Sequence, residues 1–359
     1  MSTATAPGAV CDRIPSHVYV VAAFGTRYDG MLLTLVSSLY RALPETELLV
    51  VHQDTDEFIE VLGQGFRAVT FVRTEFKFAA DPTQRISSKV LMWAEAHRHL
   101  RRLSQNEGKM AIFLDVDTLV MADPRPALWR ACAANADLIV TDKPEDRWPL
   151  NSGVMGVRLS ARGGRFFDAW VERTQCILAS PSLVQEAADR RAPYGGADQM
   201  SLHQLVGYTR NATTLRAAYD PDVTVSIVPC ARFNETKSRA LDDETYIVHF
   251  KGAWQPVLLE GKRFPKSRPM ERSWQMYETY LAAYVDATRL LQSRTGWRPS
   301  GAFKGIRVPR YVREKSRLRR AIFLMAHTAH NLARDAAQLP RRTTRFVRRR
   351  WSHSRRPLA

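Results

Sequence analysis

Short apolar runs alternate with amphipathic stretches through the first three hundred residues of the chain. The apolar run at 17–23 predicts a strand, the helical spacing of apolar residues over 30–43 predicts a helix, and the run at 47–51 predicts a second strand. Strand, helix and strand at this spacing are typical of parallel β-α-β winding, in which the strands are buried on both faces. The pattern therefore predicts an α/β protein.

The same alternation continues toward the carboxyl terminus. Ser87 or Ser88 is expected to cap a helix that runs to about residue 103, and a buried strand is predicted at 110–114. Further short strands are predicted at 137–141, 154–159, 223–228 and 245–250. Apolar residues at 3–4 spacing predict a helix over 271–291 that packs back on the body.

Ligands of open α/β sheets bind beyond the carboxyl ends of the strands. A site is therefore expected after residues 23, 114 and 250. Two carboxylates, Asp115 and Asp117, directly follow the strand at 110–114, and the period of two in a strand points both to one side. Such a pair forms a hard-oxygen site that suits Mg²⁺ or Mn²⁺. Other acidic pairs share this spacing, but only this one is flush with a strand and precedes a second apolar run.

Three further segments place polar groups at the ends of predicted elements. Residues 151–153 (Asn-Ser-Gly) lead into a strand, where the glycine permits close approach of the backbone to a ligand. Residues 195–199 open a helix at Met200, and Asp198 either caps that helix or contacts a ligand. Residues 249–252 place the imidazole of His249 at a strand end, beside a lysine and a glycine.

Taken together, these motifs resemble the glycogenin-like glycosyltransferases of family 8, which share the GT-A nucleotide-sugar fold. The resemblance covers about residues 15–260, and its motifs occur in the order found in the family. It rests on 113–120 (Phe-Leu-Asp-Val-Asp-Thr-Leu-Val), with support from 128–129, 151–155, 198–199 and 249–252. It implies a GT-A-type, Rossmann-like α/β fold with a mixed, mostly parallel sheet, to which this chain adds a helical basic extension at the carboxyl terminus.

The resemblance also implies a function and a set of site residues. The expected activity is transfer of a hexose from a nucleotide-diphosphate sugar, a UDP-sugar, to a sugar, lipid-linked or protein acceptor with retention of configuration. Asp115, Asp117 and His249 are implied to bind Mn²⁺ or Mg²⁺, and Asp198 and Asn151 to be catalytic residues that face the transferred sugar. The residues implied to contact the nucleotide sugar are Ala23, Phe24, Thr26, Lys89, Asp115, Val116, Gly153, Lys251 and Gly252.

The chain departs from the family pattern in two places. Relatives continue the histidine motif with a lysine and a tryptophan around a proline, where this chain has Gln255, Pro256 and Val257. Lys251 and Lys89 are therefore the candidate cations for the diphosphate. The loop after the first strand also lacks the acidic residue often found there in relatives. This departure weakens the argument that the base is uracil.

Two other functions fit parts of the sequence. Residues 114–119 also resemble the first motif of haloacid-dehalogenase-like phosphatases, in which Asp115 would be the nucleophile. That motif normally opens its fold, whereas two strands are predicted before it here. The third hypothesis is a non-catalytic adaptor that binds a membrane or nucleic acid through the tail.

Composition and charge set the tail apart from the rest of the chain. The 359 residues are 45% hydrophobic, which suffices for a sizeable core and excludes a wholly disordered or collagen-like chain. Residues 301–359 hold 17 lysines and arginines against Glu314 and Asp335, whereas residues 1–300 carry only +2 of the net +17. The charge alone would suggest a nucleic-acid partner, but it belongs to the tail.

The tail has the pattern of a helix that contacts an anionic membrane surface. Residues 312–339 carry a heptad stripe of apolar residues flanked by arginines, and 341–351 interleave arginines with aromatic residues. A helix docked on its own body is the alternative, and nucleic acid is disfavoured. The predicted segments are a flexible leader at 1–14, the catalytic domain at 15–265, a packed helix at 266–300 and the tail at 301–359.

Targeting features and cysteines add little to this scheme. Neither a signal peptide nor an apolar run long enough to cross a bilayer is visible, so a cytoplasmic location is expected, peripheral on the membrane through the tail. The four cysteines form no CxxC pair and predict neither a zinc site nor a disulfide framework. Glycosylation sequons begin at Asn211 and Asn234 and are interpreted as coincidence.

Overall fold

The computed structural model of the chain describes residues 16–23, 25–53, 57–75, 82–144, 146–187, 196–236, 241–262, 270–300 and 303–307, with the backbone alone at 82–88, 253 and 270–273. The strands are β1 His17–Ala23, β2 Leu48–His52, β3 Val69–Arg73, β4 Met110–Leu114, β5 Thr118–Val120, β6 Leu138–Asp142, β7 Leu150–Arg158, β8 Thr214–Arg216, β9 Thr224–Pro229 and β10 Ile247–His249. The helices are α1 Asp29–Ala42, α2 Glu57–Gly65, α3 Pro82–Arg101, α4 Arg125–Ala131, α5 Ala161–Ala179, α6 Pro181–Ala187, α7 Ala197–Val206, α8 Cys230–Phe233, α9 Gln255–Glu260 and α10 Met270–Thr295.

Eight of these strands form one sheet in the order β3-β2-β1-β4-β7-β6-β9-β8. Strand β2 runs parallel to its neighbours β3 and β1, and β1 runs parallel to β4. Strand β6 runs parallel to β9. Strand β7 runs antiparallel to both β4 and β6, and β8 runs antiparallel to β9. The expected mixed, mostly parallel α/β sheet is thus confirmed.

The winding of the sheet reverses at β1. This strand pairs with β2 on one side and with β4 on the other, so the connections leave in opposite directions and open a crevice at the carboxyl ends of β1 and β4. Strand β1 alternates between two apolar cores: Tyr19 and Val21 pack with α1 and α10, whereas Val18 and Val20 pack with α3 and α5. Burial on both faces explains the nearly continuous apolar run that predicted this strand.

A second, two-stranded sheet lies beside the crevice. Strand β10 pairs antiparallel with β5, and His249 lies opposite Thr118 in the register. The amide of Phe250 donates to the carbonyl of Asp117 at 2.8 Å, which extends this pairing to the residue after β10. The short sheet therefore joins the segment after β4 to a segment more than a hundred residues later.

Two predicted helix starts are wrong. Helix α3 begins at Pro82, so Ser87 and Ser88 lie inside it and not at its start. Proline suits a first helical position, because that residue needs no amide hydrogen for the helix. Helix α7 begins at Ala197, after Gly196 with φ of 121°, so Asp198 lies in the first turn and is not the N-cap.

Burial of His97 makes the stability of this fold depend on pH. The ring lies 5.1 Å from that of Phe167 between α3 and α5, and its Nε2 lies 3.0 Å from the carbonyl of Arg158. Burial lowers the pKa of His97 from 6.5 to about 4, although the contact with that carbonyl opposes the change. Above 6.5 the residue is neutral in both states; below it, only the unfolded chain readily gains the proton.

The free energy of unfolding is therefore expected to fall by up to about 3 kcal/mol as the pH drops from 6.5 toward 4. His97→Gln removes the titrating group and keeps an amide that can donate to the carbonyl of Arg158. Denaturant unfolding of both proteins across this pH interval measures the difference. An equal loss of stability in the variant would assign the pH dependence to other groups.

Several sequence predictions fall outside the described residues. These include the leader at 1–14, Phe24 and the tail from residue 308 onward, so the domain boundaries and membrane contact of the tail stay predictions. Within the part of the chain that the structure describes, no helix is both long and apolar enough to span a membrane. Cys132, Cys176 and Cys230 are free thiols.

Candidate metal centre

Asp115, Asp117 and His249 meet at the edge of the crevice. One ligand atom from each lies within 4.8 Å of the others. Nε2 of His249 is 3.0 Å from Oδ1 of Asp117 and 3.5 Å from Oδ2 of Asp115. Asp117 and His249 are buried, with 4% and 2% of their surfaces exposed, whereas Asp115 is half-buried. The group is therefore closed on the protein side and open at Asp115.

Local pairing brings these three residues together. Strand β4 ends at Leu114, and the amide and hydroxyl of Thr118 both donate to the carbonyl of Asp115 at 3.0 and 2.7 Å. This turn places the two carboxylates at the end of the strand. The pairing of β5 with β10 then sets His249 beside them.

The imidazole of His249 is held on one side only. Its Nδ1 lies 2.8 Å from Oδ1 of Asn234, a hydrogen bond inside the protein. Its Nε2 is close to both carboxylates but is buried and makes no hydrogen bond of acceptable geometry. A buried nitrogen among two carboxylates is the donor set of a divalent cation, so the residues present fit a metal ion.

Gly153 makes room for this imidazole. A Cβ atom at residue 153 would overlap Cε1 and Nδ1 of His249, because β7 passes directly against the ring. The sequence predicted close approach of a ligand at this glycine, and the structure places the ring of His249 there. The backbone amide of Gly153 donates a hydrogen bond to Oδ1 of Asn151 at 2.9 Å and is therefore already satisfied within the protein.

Gln255 holds the second oxygen of Asp117, a contact that the sequence analysis missed. Its Nε2 donates to Oδ2 of Asp117 at 2.8 Å, which leaves Oδ1 facing His249. Burial by itself would raise the pKa of Asp117, but His249, Gln255 and Lys89 together lower it to about 2. Asp117 is therefore a carboxylate at neutral pH. Gly252, with φ of 60°, begins the short 3-10 helix Gly252–Trp254 that leads to Gln255.

Lys89 links the metal group to Asp198. Its Nζ lies 2.8 Å from Oδ1 of Asp115, 3.1 Å from Oγ of Ser152 and 3.7 Å from Oδ2 of Asp198. The hydroxyl of Ser152 donates to Oδ2 of Asp198 at 2.6 Å. Burial by itself would lower the pKa of Lys89, but Asp115 and Asp198 raise it above its ordinary value. The structure thus brings Lys89 and Asp198 to the candidate site as a cation and a hydrogen-bonded carboxyl group.

The remaining expected residues surround this cluster in different ways. Asn151 is 3% exposed, and its Nδ2 is buried without a hydrogen-bond partner. Lys251 is half-buried, and burial is the main cause that lowers its pKa. Val116 packs in the apolar core with 8% of its surface exposed, so its side chain contributes to packing.

A small cavity of about 20 Å³ lies between the carboxyl ends of β1 and β2. Ala23 lines it, as expected, together with Tyr28 and two buried ionisable residues, Asp29 and His52. Thr26 lines a neighbouring cavity with Arg27. Sequence reasoning missed Asp29, although it is an acidic residue at the start of the helix that follows the first loop.

Comparison with known proteins identifies a family and a fold. Residues 45–255 match the family model of the nucleotide-diphospho-sugar transferases. The fold is similar to that of the glycosyltransferase GlyE of Streptococcus pneumoniae TIGR4, with a TM-score of 0.51 and 12% identity over 78% of this chain and 63% of GlyE. The galactosyltransferase LgtC, solved with donor and acceptor sugar analogs, aligns with a TM-score of 0.42 and 14% identity over 79% of this chain and 97% of LgtC.

The chain thus spans less than two thirds of GlyE, and at 12% identity that similarity shows the fold alone. No curated protein matches the chain in sequence. The family model, however, covers more than half of the chain. The chain belongs to the nucleotide-diphospho-sugar transferase family and has the GT-A glycosyltransferase fold.

Proposed function

We propose that the chain is a metal-dependent glycosyltransferase that moves a hexose from a nucleotide-diphosphate sugar to a sugar, lipid-linked or protein acceptor. The observation that carries this proposal is the meeting of Asp115, Asp117 and His249, with ligand atoms within 4.8 Å of one another. Family membership supplies the class of donor. The metal group supplies a place for the diphosphate at the carboxyl end of β4.

The donor set favours Mn²⁺ slightly over Mg²⁺, because Mg²⁺ prefers a shell made of oxygen alone. A bound divalent ion would offset the negative charge that grows on the departing diphosphate. Asp117 is suited to hold such an ion, since Gln255 and Lys89, which lie outside the ligand group, both lower its pKa and favour its ionised form. Gln255 bonds the oxygen of Asp117 that does not face His249, and Asn234 bonds the ring nitrogen of His249 that does not face the carboxylates.

The base of the donor is proposed to bind over the mouth of the cavity between β1 and β2, because a cavity of about 20 Å³ is too small to enclose a nucleobase. Ala23 lines this cavity and Thr26 lies next to it, in agreement with the expected loop, while the role of Phe24 stays a prediction. Asp29 supplies an acidic group that the loop itself lacks. A carboxylate that accepts a hydrogen bond from a base is compatible with uracil, so a UDP-sugar remains the proposed donor.

Lys89 and Lys251 are proposed to act differently on the donor. Lys89 already faces Asp115 and Asp198, so its charge is largely compensated and it orients these two carboxyl groups. Lys251 forms no ion pair with the residues that the structure describes, and burial lowers its pKa. A diphosphate would stabilise the charged form of Lys251, which makes it the better candidate for a phosphate contact. Gly252 and the backbone of Val116 complete the proposed donor surface, whereas the amide and the carbonyl of Gly153 are already bonded to Asn151 and to the amide of Asp115.

Asp198 and Asn151 are proposed to contact the transferred sugar. The carboxyl group of Asp198 is fixed by Ser152 and Lys89 and can accept from a sugar hydroxyl. Nδ2 of Asn151 is a buried donor without a partner, which a sugar oxygen could satisfy. Retention of the anomeric configuration is included in the proposal because the sequence resembles retaining enzymes of family 8.

Release of nucleoside diphosphate from a panel of nucleotide sugars tests the proposed activity. The full chain is incubated with Mn²⁺ and each donor, alone and with candidate acceptors. We expect release from one donor class that stops on chelation of the metal and returns when Mn²⁺ is added back. Release that is unaffected by chelation would contradict the proposed metal dependence.

Replacement of Gln255 by methionine is expected to weaken Mn²⁺ binding by about 10- to 100-fold, because Asp117 loses the donor that orients its second oxygen. Methionine keeps most of the volume, so the fold should be retained. Titration with Mn²⁺ by calorimetry measures the change. Gln255→Glu serves as a second variant and should be at least as harmful, since it places a carboxylate against Asp117. Unchanged affinity in both variants would remove Gln255 from the proposed site.

A further inference from the structure

His249 has a hydrogen-bond partner, Asn234, that lies outside the motifs shared with the glycosyltransferase family. Asn234 follows α8, has 0% of its surface exposed and places its Oδ1 2.8 Å from Nδ1 of His249. It begins a glycosylation sequon, but a buried side chain within a hydrogen-bond network is no acceptor for a glycan in the folded protein. The side chain of Asn234 therefore acts through its hydrogen bonds inside the fold.

The partners of Asn234 fix which end of its amide faces the histidine. Thr141 donates its hydroxyl proton to the carbonyl of Asn151 at 3.0 Å. The oxygen of that hydroxyl is then available as an acceptor, and it lies 2.8 Å from Nδ2 of Asn234. The amide nitrogen therefore points to Thr141, and the amide oxygen points to His249.

This arrangement sets the tautomer of the imidazole. An amide oxygen only accepts hydrogen bonds, so Nδ1 of His249 must carry the proton. In a neutral imidazole the other nitrogen, Nε2, then presents its lone pair to Asp115 and Asp117. A lone pair against two carboxylates is unfavourable until a cation lies between them. Nε2 is also the buried atom that makes no hydrogen bond.

The backbone holds Asn234 in register with the histidine. The amide of Glu235 donates to the carbonyl of Ile247 at 3.0 Å, and the amide of His249 donates to the carbonyl of Glu235 at 2.8 Å. The thiol of Cys230 donates to the carbonyl of Asn234 at 3.2 Å. The segment at 234–235 thus lies along β10 and is hydrogen-bonded to it.

From this network we infer that Asn234, oriented by Thr141, is a positioning residue that holds His249 as the Nδ1-protonated tautomer with Nε2 available to a divalent metal. The inference rests on the proposed function for the metal itself. The tautomer is a property of the metal-free protein, however, and can be observed whether or not a metal binds.

Two substitutions of Asn234 separate the hydrogen bond from the volume of the side chain. Asn234→Leu removes the acceptor, whereas Asn234→Asp keeps an oxygen toward Nδ1 and lets the hydroxyl of Thr141 turn toward the other oxygen. In ¹⁵N-resolved NMR of metal-free protein with neutral imidazole, the native chain and Asn234→Asp should show His249 protonated at Nδ1. Asn234→Leu should show a mixture of tautomers or protonation at Nε2.

Mn²⁺ affinity measured by calorimetry without donor gives the second readout. Asn234→Leu is expected to bind Mn²⁺ about 10- to 100-fold more weakly, and Asn234→Asp within a few-fold of the native chain. Asn106→Leu is the matched control, because Asn106 is also buried but bonds to the carbonyl of Leu100. This control should lose stability and keep its Mn²⁺ affinity.

Thr141→Val provides a milder variant if Asn234→Leu fails to fold. It frees the amide of Asn234 to turn, so a part of the Nδ1-protonated population should be lost. Protonation at Nδ1 that persists in Asn234→Leu, or in Thr141→Val when the former does not fold, would overturn the inference. If the native chain itself binds no Mn²⁺, the proposed metal site fails, while the NMR comparison still decides the role of Asn234 in setting the tautomer.

Discussion

Asp117→Asn is expected to abolish glycosyl transfer and to weaken Mn²⁺ binding by at least about 100-fold, since loss of a direct ligand should exceed the effect of losing an outer partner. The substitution removes the charge of the most buried carboxylate of the group. Asparagine keeps an oxygen that can accept from Gln255, and its amide nitrogen can donate to Nε2 of His249. The metal-free variant should therefore fold and melt at the native temperature or higher.

Asp222→Asn is the matched control for this variant. Asp220 and Asp222 have the same spacing as Asp115 and Asp117, but Asp222 is exposed and lies outside the metal group. Metal affinity by calorimetry, turnover and melting temperature are measured for both variants. Native turnover in Asp117→Asn would remove this residue from the site, and a loss in Asp222→Asn would indicate an unspecific effect of charge.

Gly153→Ala is expected to lower Mn²⁺ affinity by at least about 10-fold, because the new methyl group occupies the space of the His249 ring. Strand β7 cannot yield easily, since it is hydrogen-bonded to β4 on one side and to β6 on the other. The imidazole must turn away instead, which breaks its contact with Asn234. Such overpacking should also cost about 1–3 kcal/mol of stability.

Gly156→Ala in the same strand separates these two effects. A Cβ at residue 156 would meet the side chain of Ile139 at 3.0–3.2 Å, away from the histidine. This control is expected to lose stability but to keep native Mn²⁺ affinity. Calorimetric titration of both alanine variants, with unfolding in denaturant, measures affinity and stability separately. Native affinity in Gly153→Ala would show that the position of His249 does not control metal binding.

The parts of the fold that sequence could predict are those set by local patterns. Strands β1 and β4 are short runs buried on both faces. The turn after β4 places Asp115 and Asp117 directly at the end of that strand. The assignment of His249 to the same group came from the resemblance to a family. The structure supplies its physical cause, the antiparallel pairing of β5 with β10.

The missed residues depend on contacts between distant segments. Asn234 reaches His249 only because the segment after α8 pairs with β10, and Gln255 reaches Asp117 across 138 positions. Neither residue belongs to a charged or aromatic pattern that sequence reasoning weighs. The start of α3 was misplaced for a local reason, because serine capping preferences were weighed above the fit of Pro82 to a first turn.

The most direct test of metal-linked donor binding is the melting temperature of the full chain with a panel of nucleoside diphosphates, each with and without Mn²⁺. A ligand that binds only the folded state stabilises it by about 2.7 kcal/mol at a hundred times its dissociation constant. Mn²⁺ with one nucleoside diphosphate should raise the melting temperature more than either alone, and this gain should vanish in Asp117→Asn. If no nucleoside diphosphate raises it in the presence of Mn²⁺, the proposed site is contradicted.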